Sequence, residues 1–267
     1  MRDDYQHLRL DHRPHGVLLI TIDRPDRYNA TDAVLHRELA YVWDDVDADP
    51  DVRVAVVTGA GKAFSAGGDL EMLRRQLGDF PEVAKIAKEA GDLVRNMLEC
   101  EKPIVSAING VAVGAGLAVA LMADISIMAE EARLSDGHLR LGVGAGDHAV
   151  LLWPLLCGMA KAKYLLMTAA FVDGREAERI GLVSRCEPHD RVLPVALEIA
   201  EGLATGPQAA TRWTKRTLNH WLRQATPAFD ASLAYEMLSF FSGDVAAGAA
   251  AIAERRPPEF PSAHPGT

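Results

Sequence analysis

Apolar runs and helical periodicity alternate along the first two-thirds of the chain. Leu8–Leu10 and Val17–Ile22 are apolar runs separated by Arg13-Pro14-His15-Gly16, a pattern that predicts a β-hairpin. Beyond it, apolar residues recur with the spacing of one helix face at Leu35, Leu39, Val42 and Val46. Asn29 or Thr31 is the predicted N-cap of this helix, because either side chain can accept a hydrogen bond from a free backbone N–H.

The middle of the chain continues this alternation. Apolar, β-branched runs predict three strands: Val52–Thr58, Ile104–Ile108 and Ile125–Ala129. The pattern predicts six helices: Leu70–Leu77, Glu82–Leu98, Gly114–Met122, Val150–Leu156, Ala160–Met167 and Arg175–Ile180. From Asp190 onward the chain is predicted to be almost entirely helical. A region of alternating strands and helices that is followed by an all-helical region favours an α/β layered core with a helical C-terminal region.

One stretch, Pro103–Ala129, is apolar and long enough to suggest a membrane span. It contains Asn109, Asp124 and three closely spaced glycines, which interrupt a continuous helix. The stretch is therefore predicted to be a buried strand–turn–helix–strand unit. The N-terminus is polar and lacks the apolar run of a signal peptide, so a cytoplasmic protein without membrane contact is expected.

Composition excludes several classes of partner. The chain has 267 residues, a net charge of −9 and no basic excess, which opposes binding to a nucleic-acid backbone. Its three cysteines, Cys100, Cys157 and Cys186, show no short spacing, so reduced thiols and no zinc site are predicted.

Two glycine-rich segments fail the tests for nucleotide-binding loops. Gly59–Lys62 has Val56 where a phosphate loop needs glycine, and Ala63 where it needs serine or threonine. Gly114–Gly116 is followed by Val119, where a dinucleotide fingerprint requires a small residue for close helix–strand packing. A nicotinamide enzyme is therefore a weak alternative.

Taken together, two longer segments carry a family resemblance. Thr58–Leu70 has the sequence TGAGKAFSAGGDL, and Lys102–Leu117 has KPIVSAINGVAVGAGL. They resemble the two oxyanion-hole segments of the enoyl-CoA hydratase/isomerase (crotonase) superfamily. The resemblance continues at Asp23–Ala30, Ala177–Val183 and Glu254–Phe260, and it extends over nearly the whole chain.

The resemblance implies a site where two backbone N–H groups bind a thioester carbonyl oxygen, here those of Ala66 and Ala115. Such donors stabilise the negative charge that develops on this oxygen, and losing one costs roughly 3–4 kcal/mol. The resemblance also implies coenzyme A as the substrate carrier, with no other cofactor and no metal. Residues near the motifs are the implied substrate contacts: Arg27, Lys62, Gly67, Gly68, Asp69, Gly114 and Gly116.

The chain departs from the hydratases of this superfamily at both catalytic glutamates. Ala118 and His138 occupy those positions. Paired carboxylates suit hydration because each can alternate between acid and base once its pKa is shifted. Without them, ordinary hydration of an enoyl thioester is expected to be slow or absent.

His138 and Asp147 are the candidate replacements, and His148 is a weaker one. An imidazole can act as a general base near neutral pH, and an adjacent carboxylate fixes its tautomer. This pairing, followed by Trp153-Pro154, resembles that of the β-diketone hydrolases of the superfamily, which cleave a carbon–carbon bond by a retro-Claisen route. The alternative is that Asp147 caps the helix that begins near Val150.

The predicted fold is therefore α/β, a crotonase-like spiral of repeated ββα units in residues 1–200, with a helical oligomerisation region in residues 201–267. The resemblance implies an enzyme that acts on an acyl-CoA thioester through an enolate. A β-diketone hydrolase using His138 and Asp147 stays open, as does a catalytically silent acyl-CoA-binding relative. The expected partners are an acyl-CoA or small diketone and further copies of the chain, in a trimer or a dimer of trimers.

Overall fold

Two β-sheets form the centre of the computed structural model, which describes Arg2 and residues 4–264. Met1, Asp3 and residues 265–267 lie outside the described residues. The two predicted regions, residues 1–200 and 201–267, therefore each have one end outside the described residues. The six-stranded sheet contains, in spatial order, β1 (Leu8–Arg13), β2 (Val17–Ile22), β3 (Val54–Gly59), β5 (Ile104–Ile108), β7 (Ile125–Ala129) and β10 (Arg185–Glu187). The four-stranded sheet contains β4 (Ala63–Ser65), β6 (Val111–Val113), β8 (Arg133–Ser135) and β9 (Val172–Asp173).

Helices of four to twenty residues surround these sheets. The first eight in chain order are α1 (Ala33–Ala48), α2 (Leu70–Gln76), α3 (Phe80–Glu99), α4 (Gly114–Met122), α5 (His138–Leu141), α6 (Ala149–Cys157), α7 (Met159–Thr168) and α8 (Gly174–Arg179). Four more follow: α9 (His189–Thr205), α10 (Gln208–Gln224), α11 (Thr226–Ser239) and α12 (Gly243–Glu254). Helix α9 runs across the boundary that the sequence placed near residue 200.

Three consecutive ββα units connect the two sheets: β3–β4–α2, β5–β6–α4 and β7–β8–α5. In each unit the first strand joins the six-stranded sheet and the second joins the four-stranded sheet. Successive first strands pair in parallel, and so do successive second strands. The predicted α/β fold of repeated ββα units is confirmed.

The core lies on the central strands. All residues of β2, β3 and β5 are buried, as expected for strands that are covered on both faces. Helix α9 packs against β3, β5 and β7, and α1 packs against α3. Trp43 of α1 is completely buried in this core.

The predicted hairpin is confirmed, but the predicted N-cap is wrong. Strands β1 and β2 pair antiparallel, with Arg13 opposite Val17. Asp32 is the N-cap of α1, because its carboxylate accepts hydrogen bonds from the N–H groups of Val34 and Leu35. Asn29 instead donates to the carbonyl oxygens of residues 60 and 63, and so ties its own loop to the loop before β4.

The long apolar stretch is interrupted as predicted. It forms β5, β6, α4 and β7, with turns between them. In the part of the chain that the structure describes, no helix is long and apolar enough to cross a membrane.

Helix α10 exposes three large apolar side chains, those of Trp213, Leu218 and Trp221. The expected trimer or hexamer stays a prediction. Light scattering coupled to size-exclusion chromatography tests it, and a monomer at micromolar concentration would contradict it.

Gly116 marks a close approach between α4 and β4, because a Cβ at this position would overlap Cβ and Oγ of Ser65. We expect Gly116→Ala to lower the free energy of unfolding by about 1–3 kcal/mol through overpacking. Gly202 of α9 is the control, since a Cβ there meets open space. Alanine at 202 should stabilise by up to about 1 kcal/mol through helix propensity. Urea denaturation measures both, and equal midpoints would contradict the prediction.

Candidate active site

A cavity of about 660 Å³ brings together residues from widely separated parts of the chain. Its wall includes Ala66 of the first glycine-rich segment and both Ala115 and Ala118 of α4. His138 and Asp147 also line it. The residues predicted to bind the carbonyl oxygen and those predicted to replace the glutamates therefore face one space.

The two glycine-rich segments converge without a side chain between them. Gly67 and Gly114 have φ angles of 88° and 54°, in the left-handed region that favours glycine. A Cβ on Gly114 would lie 3.6 Å from Cα of Gly67, so the two backbones are close neighbours. This contact directs the start of α4 and the turn before α2 toward the cavity.

The two predicted N–H donors differ in availability. Ala115 lies in the first turn of α4, where the backbone N–H has no acceptor within the helix and the helix dipole is positive. The N–H of Ala66 instead donates to the carbonyl oxygen of Tyr28, at 3.0 Å. A ligand can use the Ala115 donor directly, whereas Ala66 must share its N–H or release Tyr28.

His138 is surrounded by three carboxylates. Its Nδ1 lies 3.0 Å from Oδ2 of Asp136, and its Nε2 lies 3.5 Å from Oε1 of Glu236 and 3.9 Å from Oδ2 of Asp147. His138 and Asp147 both face the cavity, yet the separation is beyond the hydrogen-bond distance expected for a direct pair. Asp136 and Glu236 are the nearer partners.

Sequence reasoning missed Asp136 and Glu236 as members of the site. Asp136 stands two residues before His138 in Asp-Gly-His, so a local signal was present. Glu236 lies on α11, and no sequence spacing relates it to His138. The fold alone brings α11 to this cavity.

A short helix between two left-handed glycines presents His138 to the cavity. Gly137 (φ 77°) precedes α5, and Gly142 (φ 82°) follows it. A Cβ on Gly137 would lie 2.9 Å from Cγ1 of Val113. Glycine at 137 therefore permits both the turn and the close approach to β6.

Asp147 has two contacts on its other oxygen. Its Oδ1 accepts a hydrogen bond from the N–H of His148 and lies 2.7 Å from Nδ1 of the same residue. Nε2 of His148 in turn accepts from Nε1 of Trp153, at 3.2 Å. His148, and not Asp147, is the N-cap residue of α6. His148 thus binds Oδ1 of Asp147, whereas Oδ2 of Asp147 is the oxygen nearer to His138.

These contacts set the charges of the site. Burial by itself would lower the pKa of His138, but Asp136, Asp147 and Glu236 outweigh it and raise this pKa well above its ordinary value. Burial opposes ionisation of Asp147, yet His148 and His138 hold its pKa well below the usual range. Burial raises the pKa of Glu236, and the attraction of His138 offsets this only in part. At neutral pH, His138 is therefore a proton donor beside the Glu236 carboxyl group, whose raised pKa makes it more basic than an ordinary glutamate.

The same cluster has the composition of a metal site. Ligand atoms of Asp136, His138 and Asp147 lie within 4.8 Å of one another, close enough to share an ion. A histidine ligand must first lose its proton. The carboxylates that raise the pKa of His138 oppose that loss, so the geometry favours a bound proton.

The implied substrate contacts divide into two groups. Arg27, Gly68, Asp69 and Gly114 line the cavity. The structure places the other three outside its lining: Lys62 is exposed on the surface, and Gly67 and Gly116 are buried behind the wall. Arg255, at the end of α12, is an additional basic residue of the cavity wall.

Comparison with known proteins agrees with this geometry. The sequence model of the family described as enoyl-CoA hydratase/isomerase matches residues 12–263. The chain belongs to the enoyl-CoA hydratase/isomerase family. A putative enoyl-CoA hydratase of Thermus thermophilus is 34% identical over 252 residues, which cover 91% of this chain and 97% of that protein.

Solved structures of related proteins share the crotonase fold. An enoyl-CoA hydratase/isomerase from Mycobacterium paratuberculosis superposes with a TM-score of 0.89 at 34% identity, over 93% of this chain and 99% of that one. A β-diketone hydrolase from the cyanobacterium Anabaena superposes with a TM-score of 0.80 at 27% identity, over 88% of this chain and 94% of that one. This chain is thus similar to proteins that are named for different reactions.

Asp136 provides a direct test of the charges around His138. We expect Asp136→Asn to lower the pKa of His138, because the variant removes the nearest carboxylate charge without changing the side-chain volume. NMR titration of the imidazole measures this shift. His36, which contacts Glu89 and not this cluster, is the internal control.

The same variant should change the pH dependence of stability. Since the folded pKa of His138 is raised, its protonated ring stabilises the fold fully below about pH 6.5, the unfolded value. This contribution is lost as the pH rises through the folded pKa, and in the variant the loss should occur at lower pH. Unchanged titration of His138 in the variant would contradict the assignment.

Proposed function

We propose that the protein transfers a proton on an acyl-CoA thioester through an enolate, with His138 and Glu236 in place of the two hydratase glutamates. The observation that supports this most is the single cavity lined by Ala115, His138 and Glu236. In the proposed reaction Glu236 removes a proton next to the thioester carbonyl. The N–H of Ala115 then stabilises the enolate oxygen, with Ala66 as the second donor.

In the second half of the proposed reaction, His138 returns a proton from Nε2 to a carbon of the enolate. Oδ2 of Asp136 lies 3.0 Å from Nδ1, and its charge favours the protonated ring. The 3.5 Å between Nε2 and Glu236 allows the proton to pass back to His138, which restores the starting state. When the acyl group is β,γ-unsaturated, the enolate is a dienolate and can take up this proton at its γ-carbon. Removal at the α-carbon and return at the γ-carbon is an isomerisation, and it requires no water where Ala118 stands.

Two basic residues support coenzyme A as the carrier. Arg27 and Arg255 are exposed side chains of the cavity wall. Within the described residues no carboxylate pairs with either guanidinium. Guanidinium groups bind phosphate oxygens in bidentate fashion, so both are suited to the anionic part of coenzyme A.

A carbon–carbon hydrolase is the second candidate, and the positions of Asp147 and Glu236 favour it. Both carboxylates lie beside Nε2 of His138, at 3.9 and 3.5 Å, where they can accept hydrogen bonds from a water that binds this nitrogen from the cavity. In that reaction neutral His138 takes a proton from the water, which attacks one carbonyl of a diketone. The carbon–carbon bond then breaks, its electrons form an enolate, and the enolate carbon takes the proton back from His138, which leaves a carboxylic acid and a ketone. The likeness to the Anabaena hydrolase supports this alternative.

The pH dependence of turnover separates the two candidates. Thioester isomerisation needs protonated His138, so its rate should fall as the pH rises through the raised pKa of this residue. Diketone cleavage needs neutral His138 and should increase over the same range. We expect panels of enoyl-CoA and diketone substrates to show the first behaviour, with slow hydration of crotonyl-CoA.

In the same assay, His138→Ala should reduce turnover by roughly 10²-fold or more. His12→Ala, on the exposed part of β1, is the control and should leave turnover unchanged. Diketone cleavage that increases with pH, without thioester turnover, would overturn the proposal. Thioester binding without any turnover would identify a silent relative.

The coenzyme A assignment has its own test. We expect coenzyme A to raise the melting temperature by mass action on the folded state. Arg27→Ala and Arg255→Ala should each weaken this shift, more at low than at high salt. Lys62→Ala is the matched control, because Lys62 is exposed outside the cavity. No shift with millimolar coenzyme A would contradict the assignment.

A further inference from the structure

The backbone of the segment that joins α5 to Asp147 contacts the helix that carries Glu236. Its sequence is GVGAGD, with glycine at every second position, and we refer to it as the 142–147 segment. A Cβ built on these glycines would meet the C-terminal helices: Asp244 of α12 from position 142, and Ser239 and Glu236 of α11 from positions 144 and 146. The segment therefore lies directly against α11 and α12.

Gly146 and Glu236 approach each other more closely than two side chains could. A Cβ on Gly146 would lie 2.3 Å from Cβ of Glu236 and 2.5 Å from its Oε2, closer than real Cβ contacts. Only glycine therefore fits at 146 without displacing the glutamate. The backbone of the 142–147 segment thus sets how close Glu236 comes to His138.

One hydrogen bond ties this segment to α11 at Ser239. Oγ of Ser239 accepts from the N–H of Gly144, at 3.2 Å, and donates to the carbonyl oxygen of Tyr235, at 2.8 Å. The hydroxyl proton and one lone pair are thus both used. Ser239 follows Glu236 by three residues, so both lie on one face of the helix. The bond therefore holds the face that carries Glu236 against the 142–147 segment.

A second serine on this face, Ser232, is a less defined contact. Its hydroxyl lies 3.1 Å from the carbonyl oxygen of Gly146 and 2.9 Å from that of Phe229, within α11. One hydroxyl proton can serve only one of these acceptors at a time. Ser239 is therefore the residue whose loss should alter the contact most.

The carboxyl group of Glu236 depends on the placement of its helix. Its Oε2 is buried and has no hydrogen-bond partner among the described residues. Its Oε1 lies 3.5 Å from Nε2 of His138. Since no donor fixes Oε2, a shift of α11 carries the carboxyl group with it.

We propose that Ser239 is a positioning residue, which holds Glu236 beside His138 by fixing α11 on the 142–147 segment. Its effect on turnover rests on the proposed function, whereas its effect on the ionisation of His138 does not. A displacement of about 1 Å at a reacting group can reduce turnover by roughly 10²-fold. One hydrogen bond that fixes a helix can therefore control the reaction without contacting the substrate.

A purely structural role predicts a different result. Loss of the hydrogen bond would then lower stability, while His138 would keep its pKa. A positioning role instead acts through the charge of Glu236, which favours the protonated ring. Asp136 and Asp147 also face this ring, and the variants below leave their charges unchanged. The effect of a positioning residue must therefore vanish when the charge of Glu236 is removed.

The experiment is a double-mutant cycle of Ser239→Ala and Glu236→Gln, followed by NMR titration of His138. With Glu236 present, we expect Ser239→Ala to lower the pKa of His138, because the carboxylate moves away from the ring. In the Glu236→Gln background, serine and alanine at 239 should give the same pKa. The titration needs no substrate, so it does not depend on the reaction that the protein catalyses.

Further variants test the contact from the other side and supply the controls. Gly146→Ala should also lower the pKa of His138, because the added methyl group displaces the glutamate. Gly144→Ala is its matched control, since a Cβ there meets atoms only at 3.7 Å or beyond and the N–H is retained. Thr217→Ala is the control for Ser239→Ala, because this exposed hydroxyl likewise bonds to the carbonyl oxygen four residues back, on α10.

Turnover gives a second readout. Ser239→Ala should reduce kcat for thioester isomerisation by roughly tenfold or more and change KM little, because the serine does not contact the substrate. An unchanged pKa of His138 in Ser239→Ala overturns the inference. An equal shift with and without the Glu236 charge also overturns it, since Ser239 would then act through Asp147 or the fold. If the shift depends on Glu236 but no thioester is turned over, the positioning role stands and the proposed function fails.

Discussion

Gly67 and Gly114 adopt left-handed conformations at the point where two chain segments meet, and the geometry of the cavity depends on this contact. A side chain at either position would be strained by the positive φ, and at 67 it would also press against Val113. Because no side chain intervenes, the start of α4 and the turn before α2 share one wall. The N–H of Ala115 reaches the cavity for the same reason, at the positive end of α4.

The second constraint is electrostatic. Three carboxylates and one imidazole are buried together, and burial of this many charges is stable only when they neutralise one another. The proton on His138 offsets part of this negative charge, at the position where a metal ion could otherwise lie, while burial and the neighbouring Asp147 and Asp136 raise the pKa of Glu236. The consequence is chemical, since a histidine held in its protonated state donates a proton more readily than it accepts one. Where the hydratase glutamates are absent, the cavity thus holds a protonated imidazole beside carboxylates, and the proposed proton transfer rests on this arrangement.

The cavity combines this charged cluster with a largely apolar wall. The charged cluster comes from the turn before α5, from α5 itself, from the loop before α6 and from α11, whereas much of the apolar wall comes from α2 and α3. One set of elements thus carries the proposed chemistry, and another forms the apolar wall. Such a division allows the acyl specificity to change while the reacting groups stay in place.

The sequence by itself determined β1, β2, β3, β5 and β7, most of the helices, the α/β class and the glycine-rich segments of the site, because periodicity and turn residues are local signals. It also identified Ala118 and His138 as departures from the hydratases. It did not locate the two- and three-residue strands of the four-stranded sheet, which are too short to show a periodic pattern. Only the tertiary structure placed Asp136 and Glu236 nearer to His138 than Asp147, engaged the Ala66 N–H with Tyr28, and assigned the N-cap of α1 to Asp32. These features depend on where helices such as α11 pack and on which backbone groups meet across loops. Sheet order and helix packing decide such contacts between distant segments, and spacing along one chain does not encode them.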